Sequence, residues 1–83
     1  MIHELKTWLG YFEAVACGDK TFELRKNDRN FKVGQILRLR EWDPTTQAYT
    51  GRELRRRVSY ILHGGEFGLA IGHCIMGLAS EEA

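Results

Sequence analysis

This chain predicts an α+β domain in which one early helix precedes a sheet that curls toward a small β-barrel. Three observations lead there. Apolar residues fall at helical spacing once, early in the chain. From residue 21 onward they alternate with polar residues in short runs separated by turn formers. The 83 residues allow a single domain, 1–83, with one small core. One helix cannot cover all the apolar strand faces, so the sheet must largely close on itself.

Residues 2–6, IHELK, alternate apolar and polar side chains and read as a first strand. Thr7 is then the expected N-cap of a helix through WLGYFEAVAC, where Trp8, Phe12, Val15 and Ala16 line one face and Gly18 supplies the left-handed stop. After Gly18 the period changes to two. Phe22 and Leu24 are expected on the core side of a strand, with Thr21, Glu23 and Arg25 on the other. Asn27, Asp28 and Asn30 form a turn. QILRLREW reads as a strand with Leu37 and Leu39 on one face and Arg38 and Arg40 on the other. DPTTQAYTG is a hairpin connection opened by Asp43-Pro44 and closed by Gly51. On the returning strand, RELRRRVSYIL, strict alternation groups Leu54, Arg56, Val58, Tyr60 and Leu62 on one face, and Ile61 on the other. HGGEFGLAIGH is a glycine-rich loop, CIMGLA a last strand, and SEEA an acidic tail expected to fray. Among the aromatics, Trp8, Phe12, Phe22 and Phe31 are expected in the core, whereas Trp42 sits at a strand end and can face either way.

Composition narrows the function classes. No apolar run is long enough to span a bilayer and no secretory signal opens the chain, so a cytoplasmic protein without membrane association is expected. Cys17 and Cys74 are then expected as reduced thiols. His3, His63 and His73 lack zinc-site spacing, and Gly64, Gly65 and Gly68 are not followed by the Gly-Lys-Ser/Thr of a phosphate loop. No metal and no cofactor is expected. The net charge of +1 hides an asymmetry: residues 20–57 carry eleven basic and five acidic side chains, and the rest of the chain one and six. A basic middle of this kind favours anionic partners, RNA above all.

The residues singled out for chemistry are Lys20, Glu23 and Arg25, which lie where helix hands over to strand. Glu23 and Arg25 share a strand face at i, i+2, a spacing that suits an ion pair or a joint acceptor and donor fork. The segment CGDKTFELRKND resembles the Gly-x-Lys-x-x-Glu-x-Arg signature of the ASCH superfamily of small PUA-like β-barrels, through Gly18, Lys20, Glu23 and Arg25. The likeness extends outward through HELKTWLGYFEAVA, FKVGQILRLREWDP, YTGRE and CIMGL, and is to a bacterial and phage-associated branch of uncharacterised members. It implies a PUA-like (ASCH) barrel with a cleft beside the helix that binds RNA or a modified nucleoside.

One branch of that superfamily hydrolyses N4-acetylcytidine, using the signature lysine, a threonine three residues later and a downstream glutamate. Here Lys20 holds the lysine position, Glu23 replaces the threonine, and Glu66 is the sole acid of the loop that stands where the glutamate is supplied. Three functional expectations follow. As a binding module, the chain would use Lys20, Glu23, Arg25, Lys26, Arg29, Arg38 and Arg40 toward RNA or a nucleotide, with Trp42, Tyr49 or Tyr60 stacking on a base. As a hydrolase, Glu23 would activate water and Lys20 would stabilise the oxyanion or donate a proton. A third class is an adaptor whose basic face docks an acidic protein.

Overall fold

The computed structural model describes residues 1–81 and shows an α+β domain with one short helix and a curled five-stranded sheet, a half-barrel. The order is β1 (Ile2–Trp8), α1 (Leu9–Ala16), β2 (Phe22–Lys26), β3 (Ile36–Asp43), β4 (Ala48–His63) and β5 (His73–Ala79). Across the sheet the strands run β1-β3-β4-β5-β2. β1 and β3 pair in parallel from Ile2↔Ile36 to Trp8↔Trp42, and every other pairing is antiparallel. A parallel pair needs a crossover of a dozen or more residues, and the stretch holding α1 and β2 supplies it.

Inward-facing positions converge on one core of Leu5, Phe12, Val15, Phe31, Leu37, Leu39, Val58, Cys74 and Met76. β1 and β3 alternate cleanly, as half-buried strands do. α1 contributes Phe12 and Val15 and packs against β1 and β3. It ends at Gly18, whose φ of 90° is the left-handed stop expected of it. Asn27 builds the following turn, its Oδ1 accepting the Phe31 amide at 3.0 Å.

The curl brings the two edge strands, β1 and β2, toward each other without a ladder between them. Arginines span this seam. Arg25 Nη2 donates to the Lys6 carbonyl and Arg29 Nη1 to the Glu4 carbonyl, each at 2.6 Å. Glu4 and Lys6 are two apart in a strand that pairs in parallel on its other side, so both carbonyls point to the free edge. Guanidinium groups thus satisfy acceptors that a neighbouring strand would otherwise take.

Five expectations need correction. Thr7 is not the N-cap: β1 continues to Trp8, Thr7 is buried within it, and Trp8 occupies the cap position with no side-chain bond. Continuing the strand turns Trp8 outward, so its indole is 50% exposed instead of in the core. On β2 the faces are exchanged: Glu23 is 4% exposed, while Phe22 and Leu24 are 45% and 51% exposed. The register explains it, because Glu23 and Arg25 pair with the buried Met76 and Cys74, and Phe22 and Leu24 with Gly77 and Ile75 on the outer side. On β4 a bulge at Ser59, between the pairs Val58↔Leu78 and Tyr60↔Gly77, shifts the alternation. Val58 and Ile61 face the core and Tyr60 is exposed. The hairpin connection is also shorter than expected, since β4 already begins at Ala48 and includes Tyr49–Gly51. At the tail, Ser80 and Glu81 are described and Glu81 is held by Arg55, whereas residues 82–83 of the expected frayed end lie outside the described residues.

Candidate functional site

The seam is zipped by Arg25 and Arg29 at one end and splays at the other, where α1 leaves β1 and the Gly18 turn enters β2. The splayed end is a cleft of about 780 Å³, within the range of small-molecule sites. Its walls follow from strand alternation. Lys6 and Trp8 project outward from β1, Tyr11 from α1, and Phe22, Leu24 and Lys26 outward from β2. Thr7, Glu23 and Arg25, directed toward the interior, form the floor, and His73 of β5 closes the side next to Lys26.

Lys20, Glu23 and Arg25 therefore meet in one cleft. Each Glu23 oxygen takes one cation: Oε1 is 3.3 Å from Lys20 Nζ, and Oε2 accepts from Arg25 Nε at 2.6 Å. A carboxylate offers about four acceptor positions, so both oxygens retain a lone pair for a ligand. The Lys20 ammonium also lies 5.3 Å from the Tyr11 ring centroid and 5.4 Å from that of Phe22, within cation–π range of both. Glu23 is tolerated at its depth because two cations neutralise it there.

The remaining expected site residues divide. Lys26 lines the cleft, whereas Arg29 holds the closed end of the seam. Arg38, Arg40 and Trp42 lie on the outer face of β3 and do not line it. Arg38 donates to Glu4 and Glu53, both at 2.8 Å, and Arg40 lies 3.5 Å from Glu4 and 4.0 Å from Glu53. Hydrogen bonding and charge from Glu53, and secondarily from Glu4, push the Arg38 pKa up. Arg52 reaches Glu13 and Glu41, and Arg55 grips Glu81, whose hydrogen bond raises its pKa. Three of the six acids outside residues 20–57, Glu4, Glu13 and Glu81, thus fold back onto the basic middle of the chain and neutralise Arg38, Arg40, Arg52 and Arg55 in part.

His73 was missed by reading the sequence. It borders the cleft, and its Nδ1 is a buried polar atom with no hydrogen-bond partner among the described residues, as is Arg57 Nε. No local signal marks it, because its placement depends on the β2–β5 pairing Lys26↔His73. Glu66, the acid of the glycine-rich loop, does not line the cleft. Among the described residues no group of three potential metal ligands assembles, and no helix is long and apolar enough to cross a membrane.

Comparison with known proteins places the chain in a family. Residues 2–78 match the model of a domain of unknown function, DUF3850, and the chain belongs to that family. It is also similar to an uncharacterized 12.9 kDa protein in the GpA 3' region of Escherichia phage P2, with 41% identity over 58 residues, 70% of this chain. The matched stretch covers 51% of the phage protein, so the chain spans about half the length of that relative.

Proposed function

We propose that this member of the DUF3850 family binds a nucleoside, either as a modified nucleotide or as an unpaired residue of RNA, in the cleft between β1 and β2. The observation that carries the reading is Glu23, a 4% exposed carboxylate on the cleft floor between Lys20 and Arg25, beneath walls that include Trp8, Tyr11 and Phe22. Aromatic walls favour a planar ring, and a fixed carboxylate with lone pairs to spare accepts from an exocyclic amine, a ring N–H or a ribose hydroxyl. Arg25 and Lys20 offer donors beside it. In this reading the half-barrel is an ASCH-type, PUA-like fold, acting in the cytoplasm without a cofactor. The neutralised outer face of β3 argues against recognition that begins with a long phosphate-tracking groove or an acidic protein partner, and for recognition that begins with one base.

A second reading draws on the 3.3 Å approach of Lys20 to Glu23. For an N4-acylated cytidine, Glu23 takes a proton from water, the hydroxide adds to the acyl carbon, and Lys20 stabilises the oxyanion. As the C–N bond breaks, Glu23 returns that proton to N4, releasing cytidine with a free amine and a carboxylic acid that ionises in solution. Calorimetric titration with cytidine, N4-acetylcytidine, adenosine and guanosine tests both readings. At least one nucleoside is expected to bind, with a loss of roughly tenfold or more in Glu23→Gln, consistent with a charge-assisted hydrogen bond. Acetate release from N4-acetylcytidine promotes the second reading, and absence of binding by every nucleoside and by short RNA refutes the first.

A further inference from the structure

The outer face of β1, β3 and β4 carries its side chains in rows set by the pairing register. One row is Trp8–Trp42–Tyr49, and the next is Lys6–Arg40–Glu53. Paired residues on neighbouring strands sit about 4.8 Å apart, so three aromatic residues lie in register as a band across three strands, with a shift in the β3–β4 pairing between this row and the next. The Trp8 and Trp42 ring centroids are 5.9 Å apart at an interplanar angle of 38°. A cation lies against each of the two farther rings, Lys6 Nζ 4.3 Å from the Trp42 centroid and the Arg40 guanidinium 4.0 Å from that of Tyr49. The band is open at its ends, with Trp8 and Tyr49 both exposed. It is also continuous with the cleft, because Trp8 and Lys6 belong to the cleft wall as well as to the two rows.

From this arrangement we infer that the ligand is a single-stranded oligonucleotide. One base enters the cleft and the following bases lie across the Trp8–Trp42–Tyr49 band. The inference rests on the cleft reading above and extends it from a nucleoside to a strand. Aromatic rings offered on a sheet face take bases of any sequence by stacking, and interleaved cations meet the phosphates between them. Lys6, with no carboxylate partner among the described residues, is the cation positioned for the phosphate that joins cleft to band. Arg40, over Tyr49 and shared with Glu4 and Glu53 at 3.5 and 4.0 Å, presents a guanidinium plane on which a base also stacks.

Trp8 and Trp42 are the two tryptophans of the chain, so intrinsic fluorescence reports directly on the band. The probes are a mixed-sequence ribotetranucleotide, its deoxy counterpart and the four ribonucleoside monophosphates. The tetranucleotide is expected to quench tryptophan emission and to bind roughly tenfold or more tighter than any monophosphate. Tyr49→Ala and Trp42→Leu are each expected to weaken it roughly 5- to 150-fold, the range for one base–aromatic stack, while leaving the best monophosphate within about twofold. Trp42→Leu keeps an apolar side chain at the half-buried position, and Tyr49 lies at the exposed end of the band, so circular dichroism should show both folded. Binding of either the ribo or the deoxy strand supports the inference, and their ratio names the source. A tetranucleotide that binds no tighter than a monophosphate, or that ignores both substitutions, overturns it while leaving the cleft reading intact. Conversely, tetranucleotide binding that depends on the band but not on Glu23 keeps the stacking band but removes the base from the cleft, and so overturns both the cleft reading and the inference as stated.

Discussion

Replacing Arg25 with methionine keeps the apolar stem and removes the guanidinium that holds Glu23 and ties β2 to β1. Its Nε holds Glu23 Oε2 at 2.6 Å, and its Nη2 holds the Lys6 carbonyl across the seam at 2.6 Å. Removing one partner of a fully buried ion pair costs about 3–5 kcal/mol. Here the cost is lower, since the Arg25 side chain is 28% exposed, Lys20 remains on the other Glu23 oxygen, and water can reach the freed Lys6 carbonyl. About 2 kcal/mol is expected, with roughly 1 kcal/mol of it from the seam hydrogen bond. Arg29→Met is the control. It loses a single exposed bond to the Glu4 carbonyl and no contact with a buried carboxylate, so less than about 1 kcal/mol is expected. Urea denaturation followed by far-ultraviolet circular dichroism measures both. With an m-value of about 1 kcal/mol/M for a chain of this size, the Arg25 midpoint should fall by about 2 M. Equal shifts for the two variants, or an Arg25 shift below about 0.5 M, would show that the seam and Glu23 do not depend on Arg25.

Other consequences concern packing, thiols and salt. A Cβ at Gly64 would stand 1.9 Å from the Ala70 carbonyl oxygen and 2.8 Å from that of His73, so Gly64→Ala should cost about 3 kcal/mol by denaturation, and a loss under about 1 kcal/mol would mean the loop relaxes freely. In the native protein a thiol reagent should modify the exposed Cys17 rapidly and the buried Cys74 only on unfolding. Burial pushes the Cys74 thiol up, so the folded state favours its protonated form. Its contribution to stability is present below the unfolded value of about 8.5 and is lost as pH rises through the folded value, a decline that Cys74→Ala, less stable at neutral pH, should not show. The affinity of the ribotetranucleotide should fall with salt along a log–log slope of only about −2. Lys6, Lys20 and Lys26 are the lysines at the cleft, where Arg25 is held by Glu23 and the Lys6 carbonyl, and single strands give about −0.7 per neutralised phosphate. With a ribodecanucleotide, which carries enough phosphates to reach it, a slope steeper than about −5 would mean that Arg38, Arg40, Arg52 and Arg55 release their carboxylates to engage phosphate.

The helix, its stop at Gly18 and the run of strands were legible because each rests on local chemistry. The pairing of Glu23 with Arg25 was legible in the same way, from a spacing of two on a strand, whereas a cleft that also holds Lys20 was suggested only by the signature resemblance. The direction in which that strand faces was not. Phe22 and Leu24 read as the core side because apolar residues outnumber alternatives there. Yet the residues opposite them in space, Gly77 and Ile75, belong to the outer face, and only the pairing of Glu23 and Arg25 with Met76 and Cys74 shows which side is interior. Tyr60 and Ile61 exchanged faces for a related reason. A bulge inserts one residue, Ser59, and alternation cannot announce where that happens. The charge asymmetry misled most. Glu4, Glu13 and Glu81 are distant in sequence from Arg38, Arg52 and Arg55, so their pairing depends wholly on strand order and on where helix and tail come to rest.

The central claim is that a nucleobase sits over Glu23 in the cleft. Amide and indole chemical shifts of the isotopically labelled chain, followed during titration with the tightest-binding nucleoside, test it most directly. Shifts concentrated at Trp8, Tyr11, Lys20 and the Phe22–Arg25 segment, and abolished in Glu23→Gln, are the predicted result. Shifts confined to residues outside the cleft, such as Tyr60 or the Gly64–Gly72 loop, or a Glu23→Gln variant that responds as the wild type does, would contradict it.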